Sequence, residues 1–98
     1  MDVLLKRDGD TIVVSIAGRI NTATSPQFER ELIPALDGVK KLVLDMTDLL
    51  YISSAGLRVI LTAQKIMARQ GEMILRNLKP EVYEVFEMTG FVDFLTIE

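Results

Sequence analysis

Ninety-eight residues form one domain over 1–98, and 49 % apolar with 26 % charged residues is the mixture of a globular chain rather than a disordered one. No cysteine and no histidine occur, which excludes disulfides, zinc-finger sites and any nucleophile–histidine mechanism. Eleven basic against fourteen acidic residues, a net −3, disfavours a phosphate backbone, so no nucleic-acid partner is expected.

Apolar residues alternate over 2–7 and again at Ile12, Val14 and Ile16, with Asp8-Gly9 between. This predicts an antiparallel hairpin of strands 2–7 and 11–17, since both turn residues tolerate positive φ. Gly18 is expected to end the second strand and open a loop through Asn21-Thr22-Ala23. Thr24 with Gln27 three positions on fits a capping box, and Pro26 suits a first helical turn. Phe28, Leu32, Ala35 and Leu36 share one helical face. Pro34 predicts a kink or an irregular last turn, and Asp37-Gly38 a stop.

Lys40–Met46 is a nearly continuous apolar run, as in a strand buried on both faces of a parallel sheet. Residues 47–53 read as a loop, with Tyr51 packing there. A helix over 54–70 follows, with Leu57, Ile60, Leu61, Met67 and Ala68 as its apolar stripe. Arg58, Thr62, Lys65 and Arg69 form its polar stripe, and Gly71 closes it. Then come a strand over 72–76 and a helix opened by Pro80. In that helix Val82, Val85, Phe86 and Thr89 face inward and Glu81, Glu84 and Glu87 outward. Gly90 stops it, and a last strand lies within 91–97. The order β-β-α-β-α-β-α-β makes an α/β fold with a mixed β-sheet: an antiparallel hairpin joined to right-handed βαβ units.

The chemistry concentrates where residues 48–58 turn from loop to helix. Ser53 and Ser54 stand at the helix start, where a serine is first of all a cap. Gly56 in a first helical turn costs about 1 kcal/mol against alanine, which makes sense if something approaches the backbone closely. No Gly-x-x-x-x-Gly-Lys pattern marks a phosphate loop. Asp45 and Asp48 lack a third metal ligand, and no acid–base pair clusters, so neither a metal, a cofactor nor an enzyme is expected.

The run Tyr51-Ile52-Ser53-Ser54-Ala55-Gly56-Leu57-Arg58-Val59-Ile60 resembles the signature of the STAS domain, and most closely its bacterial anti-sigma-factor antagonist branch. The likeness extends along the chain through Ile12–Asn21, Leu42-Val43-Leu44-Asp45, Glu72–Leu75 and Met88-Thr89-Gly90-Phe91. It implies a protein that binds an anti-sigma factor and so releases a sigma factor. It further implies that the anti-sigma factor is often a serine kinase, that phosphorylation at the helix start breaks the complex, and that a PP2C-type phosphatase restores it.

The family's acceptor, two residues before the glycine, falls on Ser54. Ser53 falls where many members carry aspartate and is the less expected acceptor. Asn21 falls where aspartate is also common, so this end is less negative than is usual in the family. The resemblance places Asn21, Ser53, Ala55, Gly56, Leu57 and Arg58 at the partner surface. Arg58 would meet the phosphate or a partner carboxylate, or simply face water. The alternative within the family is a STAS subunit of an ABC-type lipid transporter, acting without serine phosphorylation. No apolar run approaches 18 residues, and residues 1–6 lack the pattern of an export signal. No direct membrane insertion and a cytoplasmic location are therefore expected.

Overall fold

A computed structural model describes residues 1–98. The hairpin forms as the alternation predicts. Strand β1 (Asp2–Asp8) pairs antiparallel with β2 (Thr11–Ile20), Val3 opposite Ile16 and Asp8 opposite Thr11. The two turn residues are Gly9 and Asp10 rather than Asp8 and Gly9, and Gly9 takes the positive φ, 61°, that this tight connection requires.

Strand β2 does not stop at Gly18. Two register shifts, between Ser15 and Ala17 and between Gly18 and Arg19, carry it on to Ile20. It continues because its parallel partner β3 (Lys41–Ile52) runs beside it to the end, Ile20 facing Ile52. Residues 47–52, expected as a loop, are thus strand. They read as a loop for a physical reason. Strand β4 (Glu72–Arg76) ends opposite Asp45, so this part of β3 pairs on one side only. Past the bulge its buried residues, Met46, Leu49 and Ile52, fall at every third position instead of every second.

Helix α1 (Ser25–Leu32) buries Phe28 and Leu32. The predicted capping box is not made. Thr24 already has helical angles (φ −98°, ψ −16°), and its hydroxyl turns back to accept the Asn21 N–H at 2.8 Å and donate to the Arg19 carbonyl at 2.9 Å. Gln27 bonds Glu31 instead. At Pro34 the α-helix gives way to a 3-10 turn over Ile33–Leu36, as the missing N–H demands.

Helix α2 (Ser54–Gln70) buries Gly56, Leu57, Val59, Ile60, Ala63 and Met67. Leu61 is only half-buried and Ala68 is exposed, so the buried face is rotated from the predicted stripe toward Val59 and Ala63. The Gln70 amide ties its C-terminus to the Leu36 and Val39 carbonyls at 2.6 and 2.7 Å. Helix α3 (Pro80–Met88) buries Val82 and Phe86. Thr89 lies outside, its hydroxyl donating to the Val85 carbonyl at 2.8 Å. A 3-10 turn over Phe91–Asp93 follows. The last strand, β5, is only Thr96–Ile97, because most of 91–97 is spent returning to the start of the sheet.

The sheet order is β1-β2-β3-β4-β5, and its last four strands are parallel. Right-handed crossovers between strands in sequential order put every helix on the same face. The core agrees. Ile12, Val14 and Ile16, Leu42 and Leu44, and Met73 and Leu75 join one cluster with the buried residues of α1, α2 and α3. Val43 and Ile74 have the opposite parity and lie outside it. No helix is long and apolar enough to cross a membrane.

On the helix-free face Asp45 pins the exit of β4. The Thr47 hydroxyl donates to its Oδ1 at 2.6 Å, the Thr47 N–H at 3.1 Å and the Asn77 amide at 3.3 Å. The Thr47 hydroxyl does most to hold this carboxyl below its usual 3.8. Partial burial opposes it, while the Thr47 N–H, Asn77 and the Arg76 charge assist. A depressed folded pKa means that the unfolded chain takes up the proton first. The stability from this carboxylate is therefore full above about pH 4 and lost as pH falls through the lower folded value. Asp45→Asn should flatten the acid limb of a urea-midpoint profile below about pH 4. An unchanged limb would mean the bonds to Thr47 and Asn77 add nothing.

Candidate functional site

The site is built where β2 and β3 end together. Ile20 and Ile52 face each other there, and the Ser53 N–H donates to the Ile20 carbonyl at 2.8 Å. The chain then turns at once into α2. Ser53 is extended (φ −93°, ψ 174°), and its Oγ accepts the Gly56 N–H at 3.4 Å, a long capping bond that satisfies one of the free N–H groups of the first turn. Ser53 is half-buried and committed to this cap. Ser54, the first residue of α2, is exposed and leaves its hydroxyl outside the capping bond.

Gly56 and Leu57 lie under the helix. A Cβ on Gly56 would stand 2.6 Å from Cγ2 of Ile20 and 2.8 Å from Cγ1 of Ile52, and Leu57 is 2 % exposed. The close approach that the glycine suggests is therefore the domain's own core, seated against the first turn of α2. Asn21 is brought beside the serines by the strand register, one residue past Ile20. Its side chain is occupied locally: Oδ1 accepts the Ala23 and Thr24 N–H groups at 2.9 and 3.0 Å, closing the turn into α1.

Ala55 and Arg58 open onto a groove of about 380 Å³ between α1 and α2, walled on the α1 side by Ser25, Glu29 and Arg30. Arg58 is exposed, and the ion pairs of the molecule, Lys41–Glu72 and Arg76–Glu98, do not use it. Of the predicted surface residues, Ser54, Ala55 and Arg58 thus share one outward face, Asn21 and Ser53 border it, and Gly56 and Leu57 support it from beneath. Sequence reasoning missed Arg19. Its guanidinium stacks over the Tyr51 ring at 4.6 Å, beside the same strand ends. No local signal pairs those two, because they meet only through the register of β2 with β3. No group of three or more acidic residues is arranged to hold a metal ion.

The STAS domain model matches residues 2–98, and the chain belongs to that family. The chain is 44 % identical over 94 residues to BtrV of Bordetella bronchiseptica, named as a candidate anti-sigma factor antagonist, covering 94 % of this chain and 80 % of that one. It is 30 % identical over 98 residues to the anti-sigma-B factor antagonist of Bacillus subtilis, covering 99 % and 90 %. Among solved structures, the anti-sigma factor antagonist SpoIIAA in its unphosphorylated form superposes with a TM-score of 0.83 at 21 % identity, over 99 % of this chain and 88 % of that one. SpoIIAA of Bacillus in its phosphorylated form gives 0.75 at 20 %, over 99 % and 91 %. At such identities the structural likeness is one of fold.

The seat of α2 generates a test. Gly56→Ala gains about 1 kcal/mol of helix propensity. It also forces a methyl onto Ile20 and Ile52, which are at most 1 % exposed and have no room to yield. Overpacking of this kind costs about 1–3 kcal/mol, so the net effect is a lower urea midpoint. Ser53→Ala should cost about 1 kcal/mol, and Ser53→Asp should keep the cap. A Gly56→Ala domain as stable as the wild type would show that the helix start is not seated this tightly.

Proposed function

We propose that this domain is an anti-sigma factor antagonist switched by phosphorylation of Ser54. It binds an anti-sigma factor that is also a serine kinase, frees the sigma factor, and is restored by a PP2C-type phosphatase. It acts in the cytoplasm as a binding module, without catalysis of its own. The observation that carries this reading is the division between two adjacent serines. Ser53 is spent on the helix cap, whereas Ser54 stands exposed at the first position of α2 beside Ala55 and Arg58. The names of the relatives supply the partner class.

The physics of the switch follows from that position. A phosphoryl group brings about −1.5 to −2 charges and strong acceptor oxygens. At Ser54 it meets unpaired first-turn N–H groups and the positive end of the helix dipole, which favour it by about 0.3–1 kcal/mol per charge. Arg58, one turn along the same helix, adds a cation within reach of that face. Because Ser54 points away from the core, the phosphorylated domain stays folded. What changes is the partner surface, which must now accommodate a dianion in a contact that had excluded water.

Titration against the anti-sigma kinase of the source organism separates the outcomes. Ser54→Ala should bind as the wild type does and take up no phosphate. Ser54→Asp, with only one added charge, should bind about tenfold more weakly, a difference of about 1.4 kcal/mol. The phosphorylated protein should bind more weakly still. Phosphate found on Ser53 would move the acceptor. Tight binding by Ser54→Asp, with no phosphate on either serine, would favour the transporter-subunit alternative.

A further inference from the structure

Strand β1 is an open edge of the sheet. It lies outside β2, runs seven residues from Asp2 to Asp8, and pairs with β2 without a bulge. Val3 and Leu5 pack on the core, so Asp2, Leu4 and Lys6 stand on the helix-free face. The backbone alternates too. A two-residue turn is closed by a hydrogen-bonded pair, here Asp8 opposite Thr11. Every second residue from there, Lys6, Leu4 and Asp2, therefore bonds to β2, and Val3, Leu5 and Arg7 turn their N–H and C=O groups outward. Leu4 is 56 % exposed. Asp2 and Lys6 are exposed, and neither ion pair of the molecule uses them. A long, regular edge without proline is a template for another strand.

We propose that this edge binds β1 of a second copy of the chain, antiparallel, in the register that sets Leu4 opposite Leu4. Charge complementarity along the strand selects both the occupant and the register. Outward-bonding residues must meet outward-bonding residues, so the two strands can slip only by two residues at a time. With Leu4 opposite Leu4, Val3 and Leu5 of each copy exchange backbone bonds with Leu5 and Val3 of the other. Asp2 then stands opposite Lys6 of the second copy and Lys6 opposite its Asp2, two attractions from one two-fold axis. A slip one way sets Asp2 against Asp8 of the second copy and Leu4 against its Lys6. A slip the other way sets Asp2 against Leu4 and leaves Lys6 without an acid. A lysine on an edge blunts pairing when its neighbour is apolar or cationic; here the neighbour is a carboxylate. The two sheets become one of ten strands, with all helices on the same face. The shared edge spans five residues, about 17 Å, so the dimer is weak and reversible, forming at about 0.1 mM and above. Ser54 follows β3, on the far side of β2 from this edge, and takes no part in the contact.

The test is sedimentation equilibrium of the full chain from about 10 µM to 1 mM, and it needs no anti-sigma factor or kinase. The expected mass rises from 11.0 kDa toward twice that value. Leu4→Lys, at an exposed position, sets two cations face to face at the axis and should keep the chain monomeric. Asp2→Lys and Lys6→Asp each turn both cross-strand pairs into like charges and should each weaken self-association about tenfold. Mixed together, these two single variants should associate as the wild type does, because each cation of one then meets a carboxylate of the other. A merely destabilising change would not be rescued by mixing. Circular dichroism confirms that each variant is folded. A wild type that stays monomeric at 1 mM, a Leu4→Lys chain that dimerises as well as the wild type, or a mixture that associates no better than its components would each overturn the proposal.

Discussion

The absence of a side chain at Gly56 is the constraint on which the site depends. Ile20 and Ile52, the last residues of two paired parallel strands, stand where a Cβ on Gly56 would be, at 2.6 and 2.8 Å. The helix start therefore rests directly on the ends of the sheet. The Ser53 N–H, bonded to the Ile20 carbonyl, locks the approach from the other side. Any residue with a Cβ would lift the first turn and loosen that bond, the Ser53 cap and the burial of Leu57 together. The orientation of Ser54 follows from this seat, since a helix so held has only one face turned to water.

That arrangement separates the residues that hold the helix from those that face outward. Ser53, Gly56 and Leu57 hold the helix on the sheet, while Ser54, Ala55 and Arg58 look outward. Under the proposed switch, a dianion added to the outward set would meet helix N–H groups and a cation without disturbing a packed side chain. The sheet has helices on one face only, so the three helices and the grooves between them form a continuous surface. The groove beside α1 is lined in part by Ala55 and Arg58, and the groove beside Phe94 lies further along α2. Solved structures near 20 % identity keep this fold, so the backbone arrangement outlasts the replacement of most side chains.

Much of this was legible from local chemistry. The hairpin follows from alternation and a turn glycine, the irregular end of α1 from Pro34, and the start of α2 from two serines before an amphipathic run. The Ser-Ala-Gly-Leu core of the signature pointed to the family and to Ser54 as acceptor. These features are short-range: a period, a cap, or a residue whose backbone freedom is unlike the others. Where several short-range preferences competed, the reading failed. Thr24 and Gln27 fit a capping box, but Thr24 bonds back to Asn21 and Arg19 instead.

What only the tertiary structure decided is what depends on one strand lying beside another. Residues 47–52 form strand because β2 continues next to them, and a bulge conceals the alternation that would have announced it. The Arg19–Tyr51 stack, the place of Asn21 beside the serines and the neighbours that require Gly56 come from that same register. The sequence by itself determined the order of elements, the family signature and the position of the exposed serine, because each is written within one helical turn or one hairpin. The division between residues that support the site and residues that present it came from packing across some thirty residues of chain, which no local pattern encodes.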